Sequence, residues 1–337
     1  MVFENITHRK FNGINVSEHH EFSHEKVFYY EDEETDLKSI IAIHSSSKGP
    51  AIGGCRYKLY GSYEEGLVDV LRLSKGMTQK NIAANIPFGG GKAVIFAHTD
   101  KSPELLKSFA SFLNLLDGLY ISAEDIGITL EDIQFIKSHS NYVFDNVDPG
   151  PYTAKGIFYS IESVIQYYFK SSLADKKIAI QGAGSVGLRL AHHLADAGAL
   201  VYINDIDPTK LESIQVKNIH ITDNPLTQEC DVLAPCAVGG ILTPSSILKL
   251  KCKIIAGGAN NQLLNESIDN ALFNQGITFI PDTLINSGGV IGLTKDFLKK
   301  TDSQIENELI EISKRVVTLM KLAEFNSTSV LTAMQSL

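Results

Sequence analysis

Lys92 stands between three glycines (89–91) and the apolar run AVIF (93–96), and the pair Glu124-Asp125 closes the strand-like segment LYISAED (119–125). A lysine so placed is held away from bulk water. Desolvation and neighbouring cations there favour the neutral amine, which is what an amine base needs near neutral pH. A carboxylate such as Asp125 can exchange protons with a substrate nitrogen, and Lys75, late in a helical stretch, can pair with a substrate carboxylate. Lys80, on the same stretch, reads as part of a solvated face. Together these groups suit oxidation at a carbon that carries an amine or a hydroxyl beside a carboxylate.

A second constellation is Gly182-Ala183-Gly184-Ser185-Val186-Gly187, a G-x-G-x-x-G string. In a chain with 26 glycines the string alone means little, but its setting is specific. The apolar strand KIAIQ (177–181) precedes it, an amphipathic helix (185–198) follows, and a second strand, LVYIND (200–205), ends at Asp205. Gly182 permits the tight turn, Gly184 lets the backbone approach a pyrophosphate, and Gly187 lets helix pack on strand. The helix N-terminus, from Ser185 and Val186 onward, stabilises the phosphate charge. Asp205 would accept from the adenosine ribose hydroxyls and repel a 2′-phosphate, so the expected cofactor is NAD rather than NADP.

Three other patterns lead nowhere. His20-Glu21-Phe22-Ser23-His24 is a literal H-E-x-x-H, but it lies among polar residues, runs into the strand-like KVFYY and lacks an apolar helix, so no metal site is expected. GGGK is not a phosphate-binding P-loop, because Ala93 stands where Ser or Thr is required. Cys55, Cys230, Cys236 and Cys252 form no C-x-x-C pair and are expected reduced.

These groups need elements to hold them. At 337 residues and 44% hydrophobic content, two domains with substantial cores are expected. Strand-like runs at 27–30 and 39–45, a helix at 63–79, a glycine-rich turn PFGGGK (87–92) leading into AVIF, and helices at 103–116 and 129–139 make the first part α/β. Pro149, Gly150 and Pro151 sit in the densest breaker cluster (146–156), a good hinge. Strands at 177–181, 200–205, 231–235, 253–257 and 277–281 then alternate with helices, which argues for a doubly wound parallel sheet. The expected division is a substrate and oligomerisation domain at 1–148 and a Rossmann domain at 149–301, with the active site in the cleft between them. The helix beginning at about 302 could return to the first domain. Thirty basic against thirty-nine acidic residues, a net charge of −9, argue against nucleic-acid or anionic-membrane partners. No apolar run reaches membrane-span length and no signal core is seen, so a soluble, cytoplasmic protein is expected.

The motifs GPAIGGCR (49–56), SKGMTQKNIAANIPFGGGKAVI (74–95), YISAEDIG (120–127), IQGAGSVG (180–187), CDVLAPCAVGG (230–240), AGGANNQL (256–263) and INSGGVIG (285–292) resemble, in this order, the Glu/Leu/Phe/Val dehydrogenase family, most of all its leucine branch. The resemblance implies a reversible reaction in which an L-amino acid, NAD⁺ and water give a 2-oxo acid, ammonium and NADH, in a homo-oligomer built through the first domain. It implies that Lys75 binds the α-carboxylate, that Lys92 activates the water attacking the imine, and that Asp125 handles protons at the amino nitrogen. Gly53 and Gly54 would line the substrate through their backbone, Asn260 would orient substrate and nicotinamide, and Thr153 would touch the cofactor. Glutamate-using members resemble KGGLR where this chain has Ile52-Gly53-Gly54-Cys55-Arg56. Without that lysine a second carboxylate would be buried unpaired, so glutamate is disfavoured. Ile52, Ala123, Val290 and Ile291 would form an apolar pocket suited to leucine, isoleucine or valine. An aromatic substrate, and a sensor that binds NAD without catalysis, are the alternatives. A 2-hydroxy acid enzyme would need a histidine base paired with an arginine, and no such motif is found.

Overall fold

The computed structural model describes residues 1–11, 14–16, 23–98, 100–144, 148–212 and 214–336. His20 and Glu21 of the H-E-x-x-H string lie outside these. The chain divides into two compact units, Met1–Val147 and Asp148–Leu337.

The first unit runs β1 (Val2–Asn5), β2 (Lys10–Phe11), β3 (Ile14–Asn15), β4 (Lys26–Asp32), β5 (Leu37–Ser45), β6 (Ala51–Lys58), α1 (Tyr63–Ala84), β7 (Gly89–Phe96), α2 (Pro103–Leu115), β8 (Tyr120–Ala123) and α3 (Leu130–Lys137). Six strands form a mixed sheet in the order β1-β4-β5-β7-β6-β8, with β6 parallel to both β7 and β8. Both faces are covered. Phe28, Tyr30, Ile41, Ile43, Ala93 and Ile95 pack in one apolar cluster with residues of α2 and α3, and Val27, Tyr29, Ile40, Ala42 and Val94 pack in another with Leu67, Val70 and Leu71 of α1. This is why β4 and β5 are continuous apolar runs rather than alternating ones. Thr129 and Asp132 close a capping box at the start of α3, as their spacing predicts.

The three glycines before Lys92 are not a turn. They are the first residues of β7 and are buried in the middle of the sheet. A Cβ at Gly90 would stand 2.1 Å from the Thr78 backbone nitrogen, so the missing side chain is what lets α1 lie directly on the strand. Asn81 Nδ2 then donates to the Gly89 carbonyl at 2.7 Å.

The second unit runs α4 (Gly150–Phe169), β9 (Lys177–Gln181), α5 (Ser185–Asp196), β10 (Leu200–Asn204), β11 (Ile219–Ile221), β12 (Val232–Pro235), α6 (Pro244–Ile247), β13 (Ile254–Ile255), α7 (Ser267–Asn274), β14 (Thr278–Phe279), α8 (Asp282–Ile285), α9 (Gly288–Phe297), α10 (Asp302–Asn326) and α11 (Val330–Gln335). Its sheet is parallel throughout, in the order β11-β10-β9-β12-β13-β14. Counted from β9 this is 3-2-1-4-5-6, the doubly wound dinucleotide-binding order, with its switch point between β9 and β12. The helix from Asp302 belongs to the second unit. It packs on α4, α9 and α11, burying Ile305, Leu309, Ile312 and Val316. Among the described residues no helix is long and apolar enough to cross a membrane.

The close approach at Gly90 makes a direct prediction. Gly90→Ala should lower stability by about 1–3 kcal/mol through overpacking against backbone that cannot rotate away. An unchanged urea midpoint would show that α1 and β7 have room to separate.

Candidate functional site

Lys92 lies in β7 two residues before Val94 and so points to the α1 face of the sheet. It is 6% exposed. Its Nζ donates to Asp125 Oδ2 at 2.7 Å. Asp125 follows the end of β8 and is fixed by two backbone anchors, Tyr57 N to Ile126 O at 2.9 Å and Ile128 N to Asp125 O at 2.9 Å. A Cβ on Gly54 would fall 2.8 Å from Asp125 Cβ, so the glycine admits the carboxylate.

The sequence reading assigned no role to Arg56, which belongs to the same arrangement. Its Nε donates to Asp125 Oδ2 at 3.0 Å, and its Nη1 to Asp69 Oδ2 at 2.8 Å. The Tyr60 hydroxyl also donates to Asp69 Oδ2, at 2.8 Å. Lys92, Asp125, Arg56 and Asp69 thus form a row of alternating charges. Burial pushes the Asp125 carboxyl up, but the Lys92 ammonium, its hydrogen bond and the Arg56 guanidinium outweigh it and hold the group below its ordinary value. The charged group found against Lys92 is therefore an anion, where the sequence had suggested cations. The available signal was Arg56 itself, two residues beyond Gly54 on the same strand face.

The two lysines of α1 occupy different edges. Ser74, Thr78 and Asn81 are buried against the sheet. At roughly 100° per residue, Gly76 and Lys80 lie seven and eleven positions beyond Asp69 and share its edge, the one that reaches Arg56. A Cβ at Gly76 would meet nothing within 4 Å, so the space over Gly76 itself is open. Lys75 falls on the other edge, close enough to His44 that its charge, after burial, pushes that imidazole below its ordinary value. His44 Nδ1 lies 3.0 Å from Thr78 Oγ1, and His24 Nε2 lies 2.6 Å from Ser74 Oγ. Among the described residues no group of three His, Cys, Asp or Glu side chains could hold a metal.

Ile52 and Ala123 are buried and lie on the Lys92 face, paired with Gly90 and Gly54 in the register of the sheet. The Gly53 and Gly54 carbonyls are held by the Tyr120 hydroxyl, at 2.7 and 3.1 Å.

In the second unit the G-x-G-x-x-G string follows β9 at the switch point. Gly182 has φ +99°, and a Cβ on Gly187 would stand 1.9 Å from the Gly182 carbonyl oxygen. At Gly184, the N-cap of α5, no side chain caps the helix and a Cβ would meet nothing within 4 Å. An uncapped N-terminus facing open space fits a pyrophosphate. Asp205 accepts from Ala183 N at 2.7 Å and Asp207 N at 3.0 Å, and Lys210 lies 3.3 Å away. Burial pushes its carboxyl up, but these backbone donors and Lys210 outweigh it and keep it below its ordinary value. Thr153 is buried in the first turn of α4 and donates to the Pro149 carbonyl at 2.8 Å. Asn260 is exposed, and its Oδ1 accepts from Asn286 Nδ2 at 2.8 Å, a partner the sequence reading did not assign. Val290 keeps a small exposure, whereas Ile291 is wholly buried and presents no surface to a ligand. Leu293, half-buried and one turn beyond Val290, shares its helix edge instead.

Residues 23–142 match the family model for the "Glu/Leu/Phe/Val dehydrogenase, dimerisation domain", and residues 204–328 the one for "Glutamate/Leucine/Phenylalanine/Valine dehydrogenase". The chain is 38% identical to a phenylalanine dehydrogenase of Bacillus thermotolerans, over 89% of this chain and 86% of that protein. It is 35% identical to a leucine dehydrogenase of Thermoactinomyces intermedius, over 90% and 86%. The crystal structure of L-tryptophan dehydrogenase from Nostoc punctiforme superposes with a TM-score of 0.86 at 35% identity, covering 94% of this chain and 95% of that one.

The charge row carries its own prediction. Because the folded-state value of Asp125 is depressed, its contribution to stability is complete above the unfolded value of about 3.9 and is lost as pH falls through the folded value. Arg56→Met should cost roughly 1–3 kcal/mol at neutral pH and raise the carboxyl titration seen by ¹³C NMR. A carboxyl that titrates as in the wild type would show that Arg56 does not act on it.

Proposed function

The chain belongs to the Glu/Leu/Phe/Val dehydrogenase family and is an NAD(P)-dependent amino acid dehydrogenase, and we propose that it reversibly deaminates a branched-chain L-amino acid, leucine, valine or isoleucine, to the 2-oxo acid and ammonium. The observation that carries this reading is the buried Lys92–Asp125 pair, set on the same sheet face as the apolar Ile52 and Ala123.

In this reading Lys80 takes the α-carboxylate. Its place on the Asp69 edge of α1, an edge open over Gly76, favours it over Lys75. Lys92 holds and polarises the water that adds to the imine carbon. Asp125, kept ionised by Lys92 and Arg56, accepts a proton from the amino nitrogen and returns one in the reverse direction. Bound NAD supplies the hydride acceptor. Gly182 to Gly187 and the N-terminus of α5 hold its pyrophosphate, Asp205 the adenosine ribose, and Thr153 and Asn260, the latter oriented by Asn286, the nicotinamide end. Asp205 favours NAD over NADP, although Lys210 beside it reduces the repulsion a 2′-phosphate would meet.

Ile52, Ala123, Val290 and Leu293 are the apolar contacts for the substrate side chain. An aromatic amino acid is the second reading, favoured by the likeness to a phenylalanine dehydrogenase at 38% identity and a tryptophan dehydrogenase at 35%. A sensor without catalysis would have no use for the paired Lys92 and Asp125. A soluble, cytoplasmic homo-oligomer assembled through the first unit, with small molecules rather than nucleic acid or membrane as partners, completes the proposal. The family's dimerisation-domain model over residues 23–142 supports it.

The test is NADH consumption with 4-methyl-2-oxopentanoate, 3-methyl-2-oxobutanoate, phenylpyruvate and indolepyruvate, with and without ammonium. Ammonium-dependent turnover that favours the branched oxo acids is expected. A preference for the aryl acids would replace the substrate assignment, and ammonium-independent turnover would defeat the reaction. Lys92→Ala and Asp125→Asn should each lower kcat by about 10²-fold or more. Lys80→Ala should raise KM by about tenfold or more, with Lys75→Ala close to wild type. The opposite ranking of the two lysines would restore Lys75 as the carboxylate ligand.

A further inference from the structure

The second unit contains a cavity of about 410 Å³ that none of the groups above use. It lies among the C-terminal end of α4, α7, β14, α10 and the start of α11, all within that unit. Its walls are largely apolar, with Phe273, Phe279 and Met320 among them. Its volume falls in the range of small-molecule sites.

Two polar atoms of its lining residues have no hydrogen-bond partner among the described residues. Asp269, in the first turn of α7, is 3% exposed. The Ser329 hydroxyl, at the N-cap of α11, donates to its Oδ2, but its Oδ1 has no hydrogen-bond partner among the described residues. The hydroxyl of Thr328, beside it in the chain and also lining the cavity, is buried without a partner as well. Among the described residues Asp269 forms no ion pair. Burial is the main influence on this carboxyl and raises its titration, with Glu266 adding in the same sense against the Ser329 hydrogen bond. Glu324 and Lys170 also line the cavity, and both are engaged with Tyr167 in the same lining. Glu324 accepts from the Tyr167 hydroxyl at 2.5 Å, and Lys170 lies over the Tyr167 ring, 4.6 Å from its centre.

An ionised carboxylate removed from water is tolerated only when it is paired and fully hydrogen-bonded. What Asp269 lacks is a cationic donor, and what much of the cavity wall offers is apolar surface. We propose that this cavity binds a small organic monoamine, whose ammonium group donates to Asp269 Oδ1 and Thr328 Oγ1 while its apolar body lies against Phe273, Phe279 and Met320. The amine's apolar body would exclude water from the charge pair. That exclusion is what makes the contact strong.

Calorimetry and thermal unfolding of the full chain with 2-phenylethylamine, and with 2-phenylethanol as its uncharged analogue, test this. The amine should bind about tenfold or more tightly than the alcohol and raise the unfolding temperature. Asp269→Asn, which keeps a partner for Ser329, should abolish that preference while leaving dehydrogenase turnover unchanged. Phe273→Ala, at a partly exposed position where folding is not at risk, should weaken both ligands. Saturating NAD and 2-oxo acid should leave amine binding unchanged, because the substrate site is elsewhere. Equal affinity for amine and alcohol, retained amine preference in Asp269→Asn, competition by substrate, or no binding would each overturn the proposal. None of these outcomes depends on which amino acid the enzyme deaminates.

Discussion

A lysine ammonium and a carboxylate held 2.7 Å apart with little access to water impose the main constraint on the first unit. Removing two ions from water costs several kcal/mol each unless their remaining hydrogen-bonding capacity is met. Arg56 and Asp69 meet it by extending the pair into a row of alternating charge, and the Tyr60 hydroxyl steadies the far end. Holding that row requires close backbone approach. Gly90 brings α1 onto β7, Gly54 admits Asp125, and the turn after β8 is pinned by Tyr57 and Ile128. The glycines around Lys92 are therefore conditions for burying the charge.

The second unit follows a different logic, and its chemistry is supplied by backbone. The strand order creates a switch point beside β9, and the glycine turn leaves the N-terminus of α5 uncapped. Asp205 is positioned by amide donors from both sides, so its carboxylate is already oriented. The first unit offers charged side chains and the second offers oriented amides. An amino acid needs the former for its carboxylate and amine, and a dinucleotide needs the latter for its phosphates.

What the sequence disclosed depended on how local each cause was. The glycine turn at 182–187 was legible because its glycines, the helix that follows and Asp205 are near one another in the chain. The capping box at Thr129 was legible for the same reason. Gly89 to Gly91 were misread as a turn because glycine ordinarily interrupts a strand, whereas here the contact that excludes a side chain comes from Thr78, a neighbour only after folding. The rotational phase of α1, which the Asp69–Arg56 contact reveals and composition does not, puts Lys75 and Lys80 on different edges of the helix. Ile291 fell on the inner side of α9 for a similar reason.

The central claim is that Lys92 and Asp125 act as one unit in deamination. A double-mutant cycle on kcat/KM for reductive amination, with Lys92→Ala, Asp125→Asn and the two combined, addresses it directly. If the pair is a single device, the double variant should be about as impaired as the worse single variant, because either loss already disables the other partner. If the two losses instead multiply, the residues work independently, and the buried pair would be a feature of the fold rather than of the reaction.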